Sequence, residues 1–332
     1  MPSQPSILTH PASVALEGSE RLALLYKAAG DSLRLQILRL LRSESLGVLE
    51  MCGILDVRQP ALSHHLKVLL NATLVSTRRE GNAIFYRRVF IAPDDALARQ
   101  KRAIFAGVDA LPLDEAVTAR LVTVKQQRER HSREFFARVA GQFRQNQELV
   151  AELQQYFGSL RDLLHGLALP AKATVLEVGP GEGNLLALLS QVGGKVIALD
   201  NSAEMLSKAR ATVAAARLRN VELLLGDLAT ALARGIEADL VIFSMVLHHL
   251  ASPAEAFSDS ARLLKRGGRL LIVDLCRHQQ DWVRENCGDL WRGFEPEELS
   301  GWAEQAGFEQ DQSLFLSLRN GFQVQMRLFH LP

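Results

Sequence analysis

Apolar residues recur at helical spacing in the first part of the chain. Residues 22–26 carry one apolar stripe and residues 33–41 carry a second, which predicts two amphipathic helices. Between them, Gly30 suits a helix end and Asp31 suits the N-cap of the next helix, because its carboxylate can accept free backbone N–H groups. The sequence therefore predicts two helices joined by a short break.

A helix-turn-helix and a hairpin are predicted next. Residues 46–54 are expected to form a third helix, and a fourth is expected to have Pro60 in its first turn and to run through residues 61–69. Its leucines fall at spacings of four and three and are expected to point inward. Its outer face then carries Ser63, His64 and Lys67. Residues 74–89 alternate in polarity and turn at 80–82, which predicts a hairpin and completes the element order of a winged helix-turn-helix.

The middle of the chain is expected to connect two domains. A helix is predicted over 91–107, then a basic connector, and a second helical region over 132–169 with an aromatic stripe that includes Phe135 and Phe136. The predicted limits are 15–111 for the winged domain, 112–132 for the linker and 133–332 for the second domain.

Short apolar runs alternate with helical patterns in the last half of the chain. The runs predicted as buried strands are 174–178, 196–199, 221–225, 240–243 and 270–273. Intervening helices imply βαβ units and a mainly parallel sheet. Residues 308–316 and 322–329, separated by a short turn, predict a terminal antiparallel pair. The predicted fold class is α/β, with seven strands in the second domain.

Composition places the chain among ordered soluble proteins. Hydrophobic residues make up 48% of it and charged residues 23%, without a low-complexity tract. The sequence shows neither a secretion signal nor an apolar run of about eighteen residues, so we expect a cytoplasmic protein that does not enter a membrane. The three cysteines, Cys52, Cys276 and Cys287, are widely scattered, and we expect neither a disulfide framework nor a bound metal.

Positive charge is concentrated around the predicted hairpin. Residues 1–110 contain 14 basic and 10 acidic side chains, whereas the last 162 residues contain 16 and 20. Between Arg58 and Arg88, six basic residues face a single acid, Glu80. This patch predicts a polyanion as partner.

A glycine-rich turn follows the first strand of the second domain. Gly179, Gly181 and Gly183 allow the backbone to turn tightly and approach a ligand without a Cβ in the way. By itself such a turn fits nicotinamide, flavin and S-adenosylmethionine (SAM) cofactors alike.

Acidic residues near the ends of three successive strands distinguish between these cofactors. Glu177 lies two residues before the first glycine, where its carboxylate can face the amino group of a methionine moiety. Asp200 follows 23 residues later, at the spacing expected for an acid that accepts ribose hydroxyl hydrogen bonds. Asp227, after Gly226, can accept from an adenine amino group. Solvated strand ends are the alternative for each acid taken singly, but the three together favour SAM.

With these motifs the second domain resembles class I SAM-dependent methyltransferases. The segments that carry the resemblance are 177–183, 199–202, 226–228, 239–250 and 265–270. It implies a Rossmann-like fold, a lid helix at 132–136, and SAM or its product S-adenosylhomocysteine (SAH) as cofactor. The implied cofactor-binding residues are Glu177, Gly179, Gly181, Gly183, Asp200, Asn201, Gly226, Asp227, Leu228, Ser244 and Met245. His248 and His249 are candidate catalytic residues, although a packing role is the alternative for both.

Residues 20–90 resemble the ArsR/SmtB winged-helix repressors, through segments 29–38 and 59–69 and the hairpin. By that resemblance the major groove would be contacted by Gln59, Ser63, His64 and Lys67. The minor groove or phosphates would be contacted by Arg78, Arg79, Tyr86 and Arg87. The resemblance also implies a homodimer on a palindromic double-stranded operator. Two departures are a lone Cys52 in the third helix, which makes metal sensing unexpected, and Thr73 where many relatives have glycine.

The combined pattern predicts a transcriptional regulator whose second domain binds SAM or SAH and senses the state of the methyl cycle. One alternative is an active methyltransferase for a small-molecule acceptor, with a winged domain that dimerises or regulates. Another is a basic hairpin that binds RNA or nonspecific DNA. The absence of a cysteine cluster suited to arsenic argues against an arsenite methyltransferase.

Overall fold

The computed structural model describes residues 18–92, 94–139, 149–280 and 282–332. Two compact units are present. The first comprises the chain up to Arg78 together with Ile84–Thr118, and the second comprises Arg79–Ala83 together with Ala119–Pro332. None of the described helices is both long and apolar enough to cross a membrane.

The first unit contains five helices and a three-stranded sheet among its described residues. The helices are α1 Gly18–Ala29, α2 Ser32–Leu40, α3 Val48–Leu55, α4 Gln59–Asn71 and α5 Ala98–Asp109. The strands are β1 Leu46–Gly47, β2 Val75–Glu80 and β3 Ala83–Arg88, in the order β1-β3-β2, although the hairpin tip Arg79–Ala83 is assigned to the second unit. The predicted winged helix-turn-helix order is confirmed, with two boundary corrections. The third helix begins at Val48 because Leu46 and Gly47 pair with β3 instead. The fifth begins at Ala98 rather than residue 91, after a turn in which the Asp95 carboxylate accepts from Leu97 N–H.

Hydrogen bonds near the ends of the helices define where helices begin and end in this unit. At Asp31 the structure has the N-cap that the sequence predicts. Its Oδ1 accepts from the backbone N–H of Arg34 at 3.0 Å, and this hydrogen bond lowers the pKa of the Asp31 carboxyl group. Thr73, after α4, adopts φ +51°, the left-handed conformation that usually favours glycine. Leu74 N–H then reaches back to the carbonyl of Leu69 at 3.0 Å and closes the helix. Thr73 thus adopts the helix-ending conformation without a glycine.

The second unit has the predicted sheet of seven strands. The strands are β4 Thr174–Val178, β5 Lys195–Asp200, β6 Val221–Leu225, β7 Ala238–Ser244, β8 Leu264–Leu275, β9 Glu309–Ser317 and β10 Gln323–His330, in the order β6-β5-β4-β7-β8-β10-β9. The first five are parallel, and β10 pairs antiparallel with β8 and β9. The helices are α6 Glu115–Val139 and then Leu153–Gly166, Leu186–Val192, Ala203–Ala215, Leu228–Ala233, Pro253–Leu263, Trp282–Cys287 and Pro296–Gln305. The mainly parallel α/β fold is confirmed.

The α6 helix occupies most of the predicted linker. It begins at Glu115, and the boundary between the two units, after Thr118, falls inside it. Residues 140–148 of the predicted 132–169 helical region lie outside the described residues. Within the second unit, Lys125 of α6 pairs with Glu255 at 2.9 Å.

Burial of apolar side chains holds the central strands of the sheet in place, and with them the loops that follow these strands. The central strands β4, β5 and β7 are buried on both faces: Val175, Leu176, Val196, Leu240 and Ile242 are each 0% exposed. Because neighbouring parallel strands end at the same edge, the loops after β4, β5, β6 and β7 meet there. This edge carries the candidate site.

Candidate functional site

A cavity of about 570 Å³ opens at the carboxyl ends of the parallel strands. Its lining includes ten of the predicted cofactor-binding residues: Glu177, Gly179, Gly181, Asp200, Asn201, Gly226, Asp227, Leu228, Ser244 and Met245. Of the predicted lid, Ser132 and Arg133 also line it. Gly183 does not line the cavity. The topology therefore brings the residues singled out in the sequence to one concave surface.

The glycine turn has different requirements at each position. Gly179 adopts φ +67°, and a Cβ there would lie 2.3 Å from Cγ2 of Val246. Gly181 adopts φ +56° with open space around it, on the cavity side. Gly183 adopts φ +84° and would place a Cβ 2.8 Å from Leu186. Gly183 thus allows close packing behind the turn, while Gly179 and Gly181 shape the cavity wall.

Two buried carboxyl groups stand at the ends of β4 and β5. Glu177 is 2% exposed, and burial together with the nearby charge of Asp200 raises its pKa to about 8. Its Oε2 accepts no hydrogen bond from any described residue. Burial also raises the pKa of Asp200 to about 6, although backbone N–H groups of Ser202, Gly181 and Asn201 oppose that rise. Such a site suits a ligand that brings a positive charge or a hydrogen-bond donor.

Asp227 lines the cavity and also caps a helix. It caps the helix Leu228–Ala233, since its Oδ1 accepts from the backbone N–H of Thr230 at 2.8 Å. The Gly226 that precedes it has φ +151°, and a Cβ there would lie 2.6 Å from Thr230. Asp227 is itself exposed. The carboxylate is therefore held at the cavity rim with one oxygen already engaged.

The end of β7 adds a group that the sequence analysis missed. The hydroxyl groups of Tyr156 and Ser244 are hydrogen-bonded, and burial raises the pKa of Tyr156. Met245 follows with φ +54°, and its N–H donates to the carbonyl of Val273 at 2.8 Å. Tyr156 lies outside every motif, in the helix Leu153–Gly166, so no local signal pointed to it.

The two candidate catalytic histidines differ in their surroundings. His249 lines the cavity, whereas His248 does not. His248 Nδ1 lies 2.7 Å from Oδ1 of Asp274, and its Nε2 lies 3.8 Å from Oδ1 of Asp289. Burial lowers the pKa of His248, but the charges of Asp274 and Asp289 outweigh it and raise the pKa to about 9. Burial, and next the charge of His248, place the pKa of His249 well below its usual value.

The α4 helix presents the predicted groove-contacting face to solvent. Leu62, Leu66 and Leu69 are 0% exposed, as predicted from their spacing. The exposed residues of the opposite face include Gln59, Ser63, His64 and Lys67. His65 instead lies 3.5 Å from the Asp31 carboxylate, which agrees with a packed position.

The hairpin residues are less uniformly exposed. Arg78 is only 1% exposed, so a DNA contact by its side chain would require it to become accessible. Arg79 Nε donates to the carbonyl of Gly81 at 3.2 Å. Burial raises the pKa of half-buried Tyr86. Arg87 Nε donates to the Ser76 hydroxyl at 3.3 Å, with its guanidinium 5.0 Å above the ring of Phe90.

Comparison with known proteins identifies the first unit. The family model for bacterial regulatory proteins of the arsR family matches residues 31–77. The arsenical resistance operon repressor of Staphylococcus aureus is 40% identical over 81 residues, which are 24% of this chain and 75% of the repressor. The chain belongs to the ArsR family of regulatory proteins. This ArsR-family regulator also carries a methyltransferase domain, whose family model matches residues 152–313.

Larger relatives of the regulator are matched only in part. An arsenite methyltransferase from Halobacterium salinarum is 37% identical over 105 residues, 31% of this chain and 27% of that enzyme. An uncharacterised 37.1 kDa protein from a transposon of Streptomyces fradiae is 35% identical over 102 residues, 30% of this chain and 29% of that protein. The regulator thus spans less than a third of the length of either relative.

Proposed function

We propose that this chain is a transcriptional regulator whose methyltransferase-fold domain binds SAM or SAH, so that operator affinity reports the state of the methyl cycle. The observation that carries the proposal is the buried carboxyl group of Glu177 on a glycine-lined cavity, with no hydrogen bond to its Oε2 from a described residue. A ligand ammonium group would repay the cost of ionising Glu177 there.

The remaining lining residues fit an adenosyl ligand. Asp200 lies at the end of β5, where it would accept hydrogen bonds from ribose hydroxyls. Asp227 at the rim has a second carboxylate oxygen for an adenine amino group. Gly179 and Gly181 let the backbone approach the ligand, and a Cβ at Gly179 would have to displace Val246. When bound, SAM supplies an electrophilic methyl group, and SAH does not.

The winged unit supports DNA as the partner. The polar face of α4 is exposed, and its position corresponds to the recognition helix of winged helix-turn-helix proteins. A homodimer on a palindromic operator is the arrangement we expect. Ligand binding can change operator affinity only by as much as it favours one conformation over another.

The deciding experiment titrates labelled DNA from upstream of the regulator's own gene with the full chain, separately with SAM, with SAH and without ligand. We expect at least one nucleoside to change operator affinity by between about 5-fold and 150-fold. Gly181→Asp should abolish this change, because it adds a carboxylate to the cavity wall. Gly235→Asp is the matched control: Gly235 adopts φ +64° with open space around it, away from the cavity. Unchanged operator affinity with both nucleosides would overturn the proposal.

An active methyltransferase is the second candidate, because His249 lines the cavity beside Ser244 and Met245. A small-molecule acceptor in the cavity could be oriented by that imidazole. Arsenite is an unfavourable acceptor, since burial raises the thiol pKa of Cys276 to about 11 and that of Cys287 to about 12. SAM turnover with cell extract as the acceptor source tests this candidate. Turnover lost in Gly181→Asp but kept in Gly235→Asp would support it.

A further inference from the structure

A buried cluster of two imidazoles and one carboxylate includes His249, which lines the cavity. His248, His249 and Asp289 each offer one ligand atom, and these atoms lie within 4.8 Å of one another. Oδ1 of Asp289 is 3.8 Å from Nε2 of His248 and 3.8 Å from Nδ1 of His249. A metal bonded at about 2.0 to 2.2 Å to each atom spans pairs up to roughly 4 Å apart. The two 3.8 Å distances from Asp289 Oδ1 to the imidazole nitrogens are within this limit. The widest separation in the cluster, at most 4.8 Å, would have to shorten by less than about 1 Å.

The surroundings of His248 match those of a metal-binding histidine. Oδ1 of Asp274 lies 2.7 Å from Nδ1 of His248, so that Nε2 is directed toward Asp289. The backbone of Gly288 lies near the His249 ring. Histidines that bind metals usually donate their second ring N–H to a carboxylate or a carbonyl, which fixes the tautomer. His248 therefore has an outer partner of the kind a metal site requires.

Asp289 is the member of the cluster whose environment most needs a cation. It is 2% exposed, and neither carboxylate oxygen accepts a hydrogen bond from the described part of the chain. A hydrogen-bonded ion pair with a protonated imidazole would bring the atoms to about 2.7 to 3.2 Å. The carboxylate instead lies 3.8 Å from both rings. That spacing leaves room for an ion between the three groups.

We propose that the methyltransferase domain of this regulator binds one divalent transition-metal ion through His248, His249 and Asp289. Two imidazole nitrogens and one carboxylate oxygen favour Zn²⁺, Co²⁺ or Fe²⁺ over Mg²⁺ and Ca²⁺, which prefer oxygen ligands. The ion would hold the ring of His249, which lines the cavity, in one orientation. This proposal does not depend on nucleoside binding.

The test begins with Co²⁺ added to the full-length protein after treatment with a chelator. We expect visible d–d absorption that saturates at one Co²⁺ per chain, without the near-ultraviolet charge-transfer band that a thiolate ligand produces. Added Zn²⁺ should remove the absorption and added Mg²⁺ should not. No visible bands, or a thiolate band that would indicate a cysteine site, would overturn the proposal.

Variants assign the site to these residues. Asp289→Asn and His249→Gln should each weaken Co²⁺ binding by at least about tenfold. His165→Gln, at an exposed histidine outside the cluster, should leave it unchanged. Circular dichroism shows whether each variant is folded, and if neither cluster variant folds, the wild-type titration decides. Co²⁺ binding that is equal in wild type and folded Asp289→Asn would place the ion elsewhere and refute the assignment.

Discussion

Glu177 and Asp200 lie at the ends of adjacent parallel strands, and their mutual repulsion adds to the cost of burying them. The pairing of β4 with β5 brings Glu177 opposite Ala198, so the two carboxyl groups stand at the same edge of the sheet. The stronger effect falls on Glu177, whose pKa rises to about 8 while that of Asp200 rises to about 6. Near neutral pH the ligand-free protein therefore keeps Glu177 largely protonated and Asp200 largely ionised.

The proton on Glu177 predicts pH-dependent SAH binding. An ammonium group favours the ionised carboxylate, so binding at pH 7 should release close to one proton from Glu177. SAH affinity should then rise by up to about tenfold per pH unit between pH 6 and 8 and level off above. Calorimetry in buffers of different ionisation enthalpy measures the proton release directly. Glu177→Gln should lose both the release and the pH dependence, while Glu237→Gln, at an exposed acid outside the cavity, should keep them.

The raised pKa of Glu177 should make the ligand-free protein less stable as pH rises, whereas it should make SAH bind more tightly. Because the pKa of Glu177 is raised on folding from 4.5 to about 8, its contribution is fully present below pH 4.5 and is lost as pH rises toward 8. The melting temperature of wild type should consequently fall more over pH 5 to 8 than that of Glu177→Gln. Parallel profiles for the two proteins would contradict the raised pKa.

Among the elements, the apolar pattern of the sequence predicts the strands well. It predicts less well the helices made of polar residues and the way in which distant loops come together. The runs 174–178 and 221–225 coincide with β4 and β6, because most of their residues are apolar and β-branched or leucine; β4 is buried in the centre of the sheet, whereas β6 lies at its edge. Strand β8 extends from Leu264 to Leu275, well beyond the predicted 270–273, because exposed Lys265 and Arg266 interrupt its apolar run. Solvated polar residues near the start of a strand therefore keep an apolar pattern from showing where it begins.

The α6 helix shows the same limitation for helices. Residues 125–130 are all polar, so no apolar stripe marks a helix there. Tertiary contacts within the second unit support it instead: Arg128 donates to the carbonyl of Ala251 at 3.1 Å and lies 5.5 Å above the ring of Trp291. Periodicity contains no information about such partners.

Some residues of the candidate site could be predicted from the sequence and others could not. Glycines and acids next to the strand ends could be predicted, because parallel topology alone brings them together. Asp289 could not, since it lies 40 residues after His249 and reaches it only because Leu290 and Trp291 both donate to the carbonyl of His248 at 3.1 Å. Long-range backbone hydrogen bonds of this kind leave no periodic signal in a sequence.

The exposed face of α4 predicts which substitutions reduce operator specificity. Gln59 and Ser63 stand on one exposed face near the start of α4, where we expect each to contact a base edge. Replacing either with alanine should cost roughly 1 to 3 kcal/mol of preference for operator over random duplex. Asn71→Ala, at the exposed end of the same helix, is the control. Competition binding at fixed salt measures the ratio, and an unchanged ratio for both variants would show that α4 does not read sequence.

Lys67 on the same helix should behave differently if it contacts phosphate. Lys67→Ala would then weaken binding to operator and to random duplex alike and reduce the slope of log affinity against log salt by about 1. Titrations at several salt concentrations distinguish this from base contact. A loss confined to the operator would instead assign Lys67 to a base.

For the whole molecule, coupling between nucleoside and DNA must be reciprocal. If SAH changes operator affinity by some factor, operator DNA must change SAH affinity by the same factor, because both complete one thermodynamic cycle. We therefore expect the ratio of SAH dissociation constants with and without saturating operator to equal the ratio of operator dissociation constants with and without saturating SAH. Calorimetry gives the first ratio and fluorescence anisotropy of labelled DNA gives the second.

Gly235→Asp should preserve both ratios, and a random duplex should leave SAH affinity unchanged. An effect of SAH on operator binding without a matching effect of operator on SAH binding would mean that the response does not arise from a ligand held by the regulator itself.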